Sequence, residues 1–177
     1  SGQHRFSLPH NLQGGVSGKL FDQPVMVNMS HDVEHIIFQL TGSLSAEDVL
    51  RVAALPQTTL LTGQADVDAL LEVAMDGPLA VRLQLETDLV GMAVALPGEF
   101  GKAPGTRSPS TFELAFFGEY QRASWQYAGT QGRMLMPDGE ALTIAQGALG
   151  IHAEPLPVAT DYSGVLVNGN LAVLNLA

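Results

Sequence analysis

Short turn sequences separate runs of alternating apolar residues along most of this chain, and they constrain its fold more than any other feature. Asp22-Gln23-Pro24, Asp76-Gly77-Pro78 and Pro137-Asp138-Gly139 each lie between two strand-like runs. Near the end, Asn168-Gly169 has the composition of a type I′ turn, because both positions tolerate positive φ. Strands joined by such short turns pair as antiparallel neighbours. The sequence therefore predicts a long antiparallel meander.

Three of the runs alternate with a period of two, which places every second side chain on the same face of a sheet. One set of alternate positions is apolar throughout, and the other set is often polar, as expected for a sheet with one wet face. We expect the apolar set to line one continuous surface: Ile36, Phe38, Leu40, Val81, Leu83, Leu85, Phe112, Leu114 and Phe116.

One helix is predicted within the meander, from Ser45 to Leu55. Ser45 is the expected N-cap, Asp48 is its partner in a capping box, and Pro56 ends the run. We expect the apolar stripe of this helix to pack against an edge or mouth of the sheet, where it either covers an apolar patch or gates the surface. The stripe consists of Ala46, Val49, Leu50 and Ala53.

Two other stretches are less regular. The run from Ala65 to Met75 fits an amphipathic helix, but Val67 and Val73 fit a strand equally well. The segment from Asp88 to Pro97 begins as a strand-like run and leads into a loop, 97–109, that is rich in proline and glycine. We expect this loop to separate two sets of strands within one sheet.

Composition narrows the classes of function. Of the 177 residues 46% are apolar and only 15% are charged, whereas a typical soluble domain is about 25% charged. The formal net charge of −10 argues against binding to nucleic acid or to an anionic membrane surface. Cysteine is absent, which excludes disulfides and thiolate chemistry.

The chain as a whole, 1–177, is expected to be a single β-rich segment of a longer protein. Ser1-Gly2 resembles the remnant of a cleaved tag, and Leu171 to Leu176 still alternates like a strand. Such a mostly β chain satisfies its apolar face in one of two ways. It closes into a sandwich or barrel with a filled core, or it curls into an open trough whose apolar face stays available to a ligand.

Catalytic and metal-binding patterns are weak in this sequence. The stretch from His31 to His35 matches the H-x-x-E-H pattern of zinc peptidases, but it lies between two strand-like runs and lacks the helix that such a site needs. We interpret it as a polar hairpin turn. Gly14 to Lys19 departs from the phosphate-binding loop, because position 13 is Gln and Leu20 follows the lysine. We therefore expect no enzyme, no cofactor and no metal site.

The order of several motifs resembles the YhdP family of AsmA-like, TamB-related envelope proteins. The matching positions begin at about Thr41 with Gly42-Ser43-Leu44-Ser45 and continue through Thr62-Gly63 to the Asp88–Pro97 and Gly101–Gly105 segments. Further along, Trp125-Gln126-Tyr127, Leu156-Pro157 and the apolar alternation from Gly164 follow in the same order.

This resemblance implies a function and a place in the cell. Proteins of this kind are anchored in the bacterial inner membrane, extend through the periplasm and form a long curled β-sheet, β-taco-like in shape, whose apolar groove carries phospholipid acyl chains toward the outer membrane. The nine apolar residues above would then contact lipid. The expected partners are phospholipid and flanking repeats of the same polypeptide, together with edge-to-edge self-association. The alternative is a structural or assembly module with a closed apolar core.

Overall fold

The computed structural model describes residues 14–20, 22–52, 59–77, 80–137, 144–157 and 163–170. The strands are β1 Gly14–Leu20, β2 Gln23–His31, β3 His35–Ser45, β4 Leu61–Ala74, β5 Val81–Thr87, β6 Met92–Val94, β7 Ser110–Phe116, β8 Tyr120–Tyr127, β9 Thr130–Pro137, β10 Gln146–Ile151 and β11 Gly164–Gly169. One helix, α1, spans Ala46–Val52, and a single 3-10 turn spans Gly98–Phe100.

All the strands belong to one open sheet that does not close into a barrel. Their spatial order is β1-β2-β3-β4-β5-β7-β8-β9-β10-β11, and β6 pairs separately with the start of β4. Neighbours from β1 to β10 are antiparallel, so the predicted meander is confirmed over this part. The loop 97–109 lies between β5 and β7, which pair directly with each other, and thus interrupts one sheet as expected.

Two predictions about strands are corrected by the register. Asn168-Gly169 is not a hairpin turn, because both residues lie in β11 opposite Gly150 and Ile151. The partner strand expected at 171–173 lies outside the described residues, as do the turn residues 138–139. β11 also pairs with β10 in the parallel sense, so the last step of the sheet is not a meander. The ambiguous run from Ala65 is a strand, since β4 continues through it.

The helix α1 begins with the predicted capping box. The Ser45 Oγ accepts a hydrogen bond from the Asp48 backbone N–H at 3.1 Å, and the Asp48 carboxylate accepts from both the hydroxyl and the backbone N–H of Ser45. Ala46 and Leu50 are buried and Val49 is half-buried, while Ala53 lies outside the described residues. The helix packs on β3 and β4, so its stripe covers the sheet near the end of β3.

The sheet is a single layer with little enclosed core. Most of the buried apolar side chains are small or lie near the strand ends, and among the described residues no large side chain is fully buried. Among the described residues, one cluster of buried side chains forms, from Ala65, Leu89 and Met92, against which Leu61 and Tyr127 pack. The described part of the chain contains no helix long and apolar enough to cross a membrane.

Candidate functional site: an uncharged sheet face

The strand register assigns the predicted site residues to one face of the sheet. In paired strands, residues opposite each other point to the same side. Ile36 lies opposite Val73, which lies opposite Val81, which in turn lies opposite Phe116. The same reasoning connects the other members, so all nine share one side: Ile36, Phe38, Leu40, Val81, Leu83, Leu85, Phe112, Leu114 and Phe116. We call this side the apolar face and the opposite side the polar face.

The apolar face extends far beyond those three strands. Two rows of side chains cross it from one edge to the other, and every member is apolar or glycine. One row is Gly14, Met29, Phe38, Leu71, Leu83, Leu114, Ala123, Met134, Gly147 and Val165. The other is Val16, Val27, Leu40, Ala69, Leu85, Phe112, Trp125, Gly132, Leu149 and Val167.

Charge is completely segregated between the two sides of the described strands. The apolar face carries no Asp, Glu, Lys or Arg in any of them, and its polar side chains, such as His31, Gln121 and Thr130, lie at the strand ends. All charged strand residues therefore lie on the polar face: Lys19, Asp66, Asp68, Glu72, Arg82, Glu86, Glu113, Arg122 and Arg133. Because of this segregation, one side of the sheet is an apolar surface without charged groups.

Charges on the polar face neutralise each other over the middle strands. Arg82 lies 3.5 Å from the Glu72 carboxylate and 3.9 Å from Glu113, which also contacts Arg122 at 3.3 Å. The Arg122 guanidinium in turn lies 5.2 Å from the centre of the Phe117 ring. These cross-strand contacts hold β4, β5, β7 and β8 in register from the side that faces water, without placing any charge on the apolar face.

The segment 88–108, which we call the end loop, covers the apolar face at one end of the strands. Leu89 and Met92 pack on Ala65, which is only 2% exposed and belongs to the apolar face. Tyr127 of the same face donates a hydrogen bond to the Phe100 carbonyl at 2.8 Å. Beyond it, Glu99 contacts the His152 imidazole at 3.0 Å. The end loop thus reaches from β4 to the end of β10.

A buried lysine organises the end loop. Lys102 is 8% exposed, and its ammonium donates to the carbonyl oxygens of Leu89 at 2.6 Å, Met92 at 2.7 Å and Ala103 at 3.1 Å. Burial lowers the pKa of Lys102, and the Asp88 carboxylate acts in the opposite direction. The backbone of Lys102 also exchanges two hydrogen bonds with Val94, so the loop folds back on β6.

Glycine allows the end loop to approach β4 closely. Gly91 has a φ of 96°, and a side chain there would meet the Gln64 carbonyl oxygen at 2.3 Å. A side chain at Gly63, with a φ of 92°, would in the same way meet the Gly91 carbonyl oxygen. Only glycine adopts such a backbone freely and leaves room for this contact.

The H-x-x-E-H stretch forms the turn between β2 and β3, as the sequence predicts. The Asp32 carboxylate accepts hydrogen bonds from the backbone N–H groups of Glu34 at 2.8 Å and His35 at 2.7 Å, and these bonds lower its pKa. Nowhere in the described ranges do three or more His, Asp or Glu side chains converge as metal ligands.

Several members of the apolar face are absent from the set predicted by sequence. Ala69, Leu71 and Val73 are outside that set because the run from Ala65 also fits a helix, although these three residues alternate with a period of two. Trp125 and Met134 belong to runs in which glycine and serine interrupt the alternation. The sequence does not indicate which carbonyl groups accept from Lys102, because every residue has the same backbone carbonyl.

Comparisons of the chain with family models, with curated proteins and with solved structures found no match.

Proposed function

We propose that this chain is a segment of a lipid-transfer conduit, in which the apolar face holds the acyl chains of phospholipids and no chemistry is catalysed. The observation that carries the proposal is the complete absence of charge from the apolar face of the described strands. A charged group is costly to desolvate, so a surface that receives hydrocarbon must be free of it.

The dimensions of the apolar face support this occupant. The ten strands along the sheet, at about 4.8 Å spacing, make a surface roughly 43 Å wide. Along a strand, Ile36, Phe38 and Leu40 mark a band about 13 Å deep at about 3.3 Å per residue. The hydrocarbon of one leaflet is about half of a ~30 Å bilayer core, so an acyl chain laid along the strands matches the depth of the band.

The resemblance to the YhdP family supplies the rest of the proposal. In this reading the segment belongs to a larger protein that is anchored in the bacterial inner membrane and extends through the periplasm. Flanking repeats of the same polypeptide would continue the sheet on either side. The apolar band would then run without interruption along the protein, as movement of lipids toward the outer membrane requires.

The second candidate is a structural module whose apolar face is buried against another protein surface. It shares the uncharged face with the first proposal, but it predicts a permanent protein neighbour in place of exchangeable lipid. The exposure of the apolar face favours exchangeable lipid over a permanent neighbour. Phe112, in the centre of the sheet, is 38% exposed, and its neighbours on the apolar face are half-buried.

Lipid binding tests the proposal directly. We expect delipidated protein to take up a fluorescent phospholipid from vesicles, and protein purified from cells to carry phospholipid that mass spectrometry detects. Leu83→Asp should strongly reduce lipid occupancy, because it places a carboxylate in a row that is otherwise wholly apolar.

The matched control is Gln39→Asp, which adds the same charge to an exposed position on the polar face. It should leave lipid occupancy unchanged. If both variants fold and both retain full occupancy, or if the delipidated protein takes up no probe at all, the conduit proposal is wrong and a protein neighbour becomes the better explanation.

A further inference from the structure

A cleft lies on the polar face, on the opposite side of the sheet from the lipid surface proposed above. It crosses β5, β7, β8 and β9, has a volume of about 370 Å³ and is bounded on one side by Pro155. The register places two rows of polar side chains side by side in it. Gln84, Glu113, Ser124 and Arg133 form one row, and Glu86, Thr111, Gln126 and Gln131 form the other.

The wall of this cleft is an extended piece of the chain itself. After β10, residues 152–157 cross the polar face over Gly150, where a side chain would meet the Ala153 carbonyl oxygen at 2.1 Å. The Arg133 guanidinium donates to the Leu156 carbonyl at 2.9 Å, while the Asn168 amide donates to the Glu154 carbonyl at 3.0 Å and accepts from the Leu156 N–H at 3.3 Å. Polar side chains of this face therefore hold an extended backbone through its peptide groups.

Similar polar side chains line the rest of the cleft, where no described backbone segment bonds to them. Within the described residues, the side-chain amides of Gln84, Gln126 and Gln131 and the hydroxyl of Ser124 have no hydrogen-bond partner. Each glutamine amide offers two donors and an acceptor, which is the complement of a peptide group. Gln126 and Gln131 lie opposite each other on β8 and β9, whereas Gln84 lies in the other row on β5, so amides stand at both ends of the cleft.

The charges around the cleft define the occupant further. Of its three charged lining residues, Glu113 is paired with Arg82 and Arg122, Arg133 is bound to the Leu156 carbonyl, and Glu86 has no cationic partner among the described residues. Glu86 is exposed at its rim and lies opposite Asp68, and like charges in opposite positions repel each other. Glu154 is exposed beside Pro155. A cationic side chain placed between Glu86 and Asp68 would relieve the repulsion, whereas an acidic one would increase it.

We propose that this cleft binds an extended, lysine- or arginine-containing segment of a partner polypeptide. The segment lies beside residues 153–157, its peptide groups bond to the glutamine amides, and its cationic side chains reach Glu86. A second copy of this chain fits poorly, because it carries only 8 Lys and Arg against 18 Asp and Glu. The proposal is independent of the lipid conduit, since it uses the other side of the sheet.

The test is a titration of isotope-labelled protein, followed by the side-chain amide resonances of Gln84, Gln126 and Gln131. The probe is an acetylated ten-residue peptide of alternating Lys and Thr, and the comparison peptide has Glu in place of Lys. We expect saturable shifts of these amides with the basic peptide only. Affinity should fall with added salt, because exposed charges are screened.

Four variants separate this site from general charge attraction. Glu86→Gln should weaken binding about fivefold, the effect of losing one exposed ion pair, and the double variant Q126A/Q131A should weaken it further. Gln39→Ala, an exposed glutamine on the same face in β3, should leave affinity unchanged. Leu83→Asp should also leave it unchanged, which keeps the test distinct from lipid binding.

Several results would overturn the proposal. They are equal binding of the acidic peptide, an equal loss of affinity in Gln39→Ala, or the absence of any saturable shift in a protein whose remaining spectrum is intact. A titration with chitotetraose tests whether the cleft instead binds a neutral oligosaccharide. If the neutral oligosaccharide moves the glutamine amides and the basic peptide does not, the cleft is a glycan site and the peptide proposal is wrong.

Discussion

At the scale of single residues, Lys102 is the clearest case of a side chain whose role is set by the fold around it. Its ammonium replaces water as the partner of three carbonyl groups, and two of them, from Leu89 and Met92, belong to residues whose side chains cover Ala65. The cation thus keeps the end loop seated on the apolar face. The sequence places Lys102 in a Gly-Lys-x-x-Gly motif, but the acceptors depend on backbone conformation that no residue pattern encodes.

Replacing this lysine tests that role. Lys102→Met keeps a similar length and removes the donor, leaving buried carbonyl groups without a partner. We expect a loss of about 1–3 kcal/mol in the free energy of unfolding, the usual cost of an unsatisfied buried group. Hydrogen exchange should accelerate at the Val94 and Gly91 amides, which bond within the end loop.

The control for this variant is Lys19→Met, which removes an exposed lysine from the edge strand β1. The free energies of unfolding of Lys102→Met and Lys19→Met, measured with urea, should differ by most of the expected loss of about 1–3 kcal/mol. If Lys102→Met unfolds at the same urea concentration as the parent protein, with unchanged exchange at Val94, the three carbonyl bonds contribute little and the loop is held by its apolar contacts.

At the scale of elements, the sequence predicted what depends on local rules. Turn residues at 22–24 and 76–77 lie at hairpins, and period-two alternation assigned β3, β5 and β7 to the sheet with the correct face. The capping box predicted the start of α1. These features succeed because neighbouring residues along the chain determine them.

Elements that depend on distant partners were predicted less completely. The strand-like run from Asp88 contains β6, but pairing with the start of β4 and the two hydrogen bonds between Val94 and Lys102 limit this strand to three residues. β11 carries an Asn-Gly pair that favours a turn, yet both residues pair with β10, Gly169 with a φ of 138°, and the Asn168 side chain bonds to residues 154 and 156 instead. Tertiary pairing overrides a local turn preference in this case.

The capping box of α1 gives a prediction about acid. Hydrogen bonding from the Ser45 hydroxyl is the main cause that lowers the pKa of Asp48, with further contributions from the Ser45 backbone N–H and from Arg51. A lowered pKa means that the ionised carboxylate stabilises the fold above the ordinary value of 3.8, and that this contribution is lost as the pH falls through the lower, folded-state value.

We therefore expect the amides of α1 to lose protection from hydrogen exchange as the pH falls below 3.8, before the central strands do. Asp48→Asn is the control, because it keeps the shape of the side chain and removes the titration. Helix protection in this variant should be lower at neutral pH and should change less with acid. Equal acid sensitivity in both proteins would show that another group controls the helix.

At the scale of the whole molecule, the sheet has no second layer to cover its apolar face over the described residues, and so its stability depends on neighbours along the sheet. Each inner strand is paired on both sides, and apolar side chains in one row shield each other. The edges lack this shielding: Val16 in β1 is 68% exposed, whereas Val167 in β11 is 61% exposed. Both valines belong to the same row of the apolar face.

This difference between centre and edge predicts self-association. A strand that pairs with β11 would satisfy the backbone groups that no described residue pairs with and would bury Val165 and Val167, and β11 carries no Lys, Arg or Pro that would oppose such pairing. We expect isolated protein to associate edge to edge as its concentration rises. Added salt should strengthen the association, because each copy carries a formal net charge of −10 and screening reduces their repulsion.

A charge placed on the edge strand tests the geometry of this contact. Val167→Lys should shift the association measured by sedimentation toward the monomer, since natural sheets use lysine on edge strands to prevent pairing. Met26→Lys is the control: it adds the same charge at an exposed position on the polar face of the inner strand β2, and should leave association unchanged. If the parent protein remains a strict monomer at every concentration and salt level, β11 is not a free edge. If both lysine variants dissociate the protein equally, charge alone controls the association, and the copies do not meet at β11.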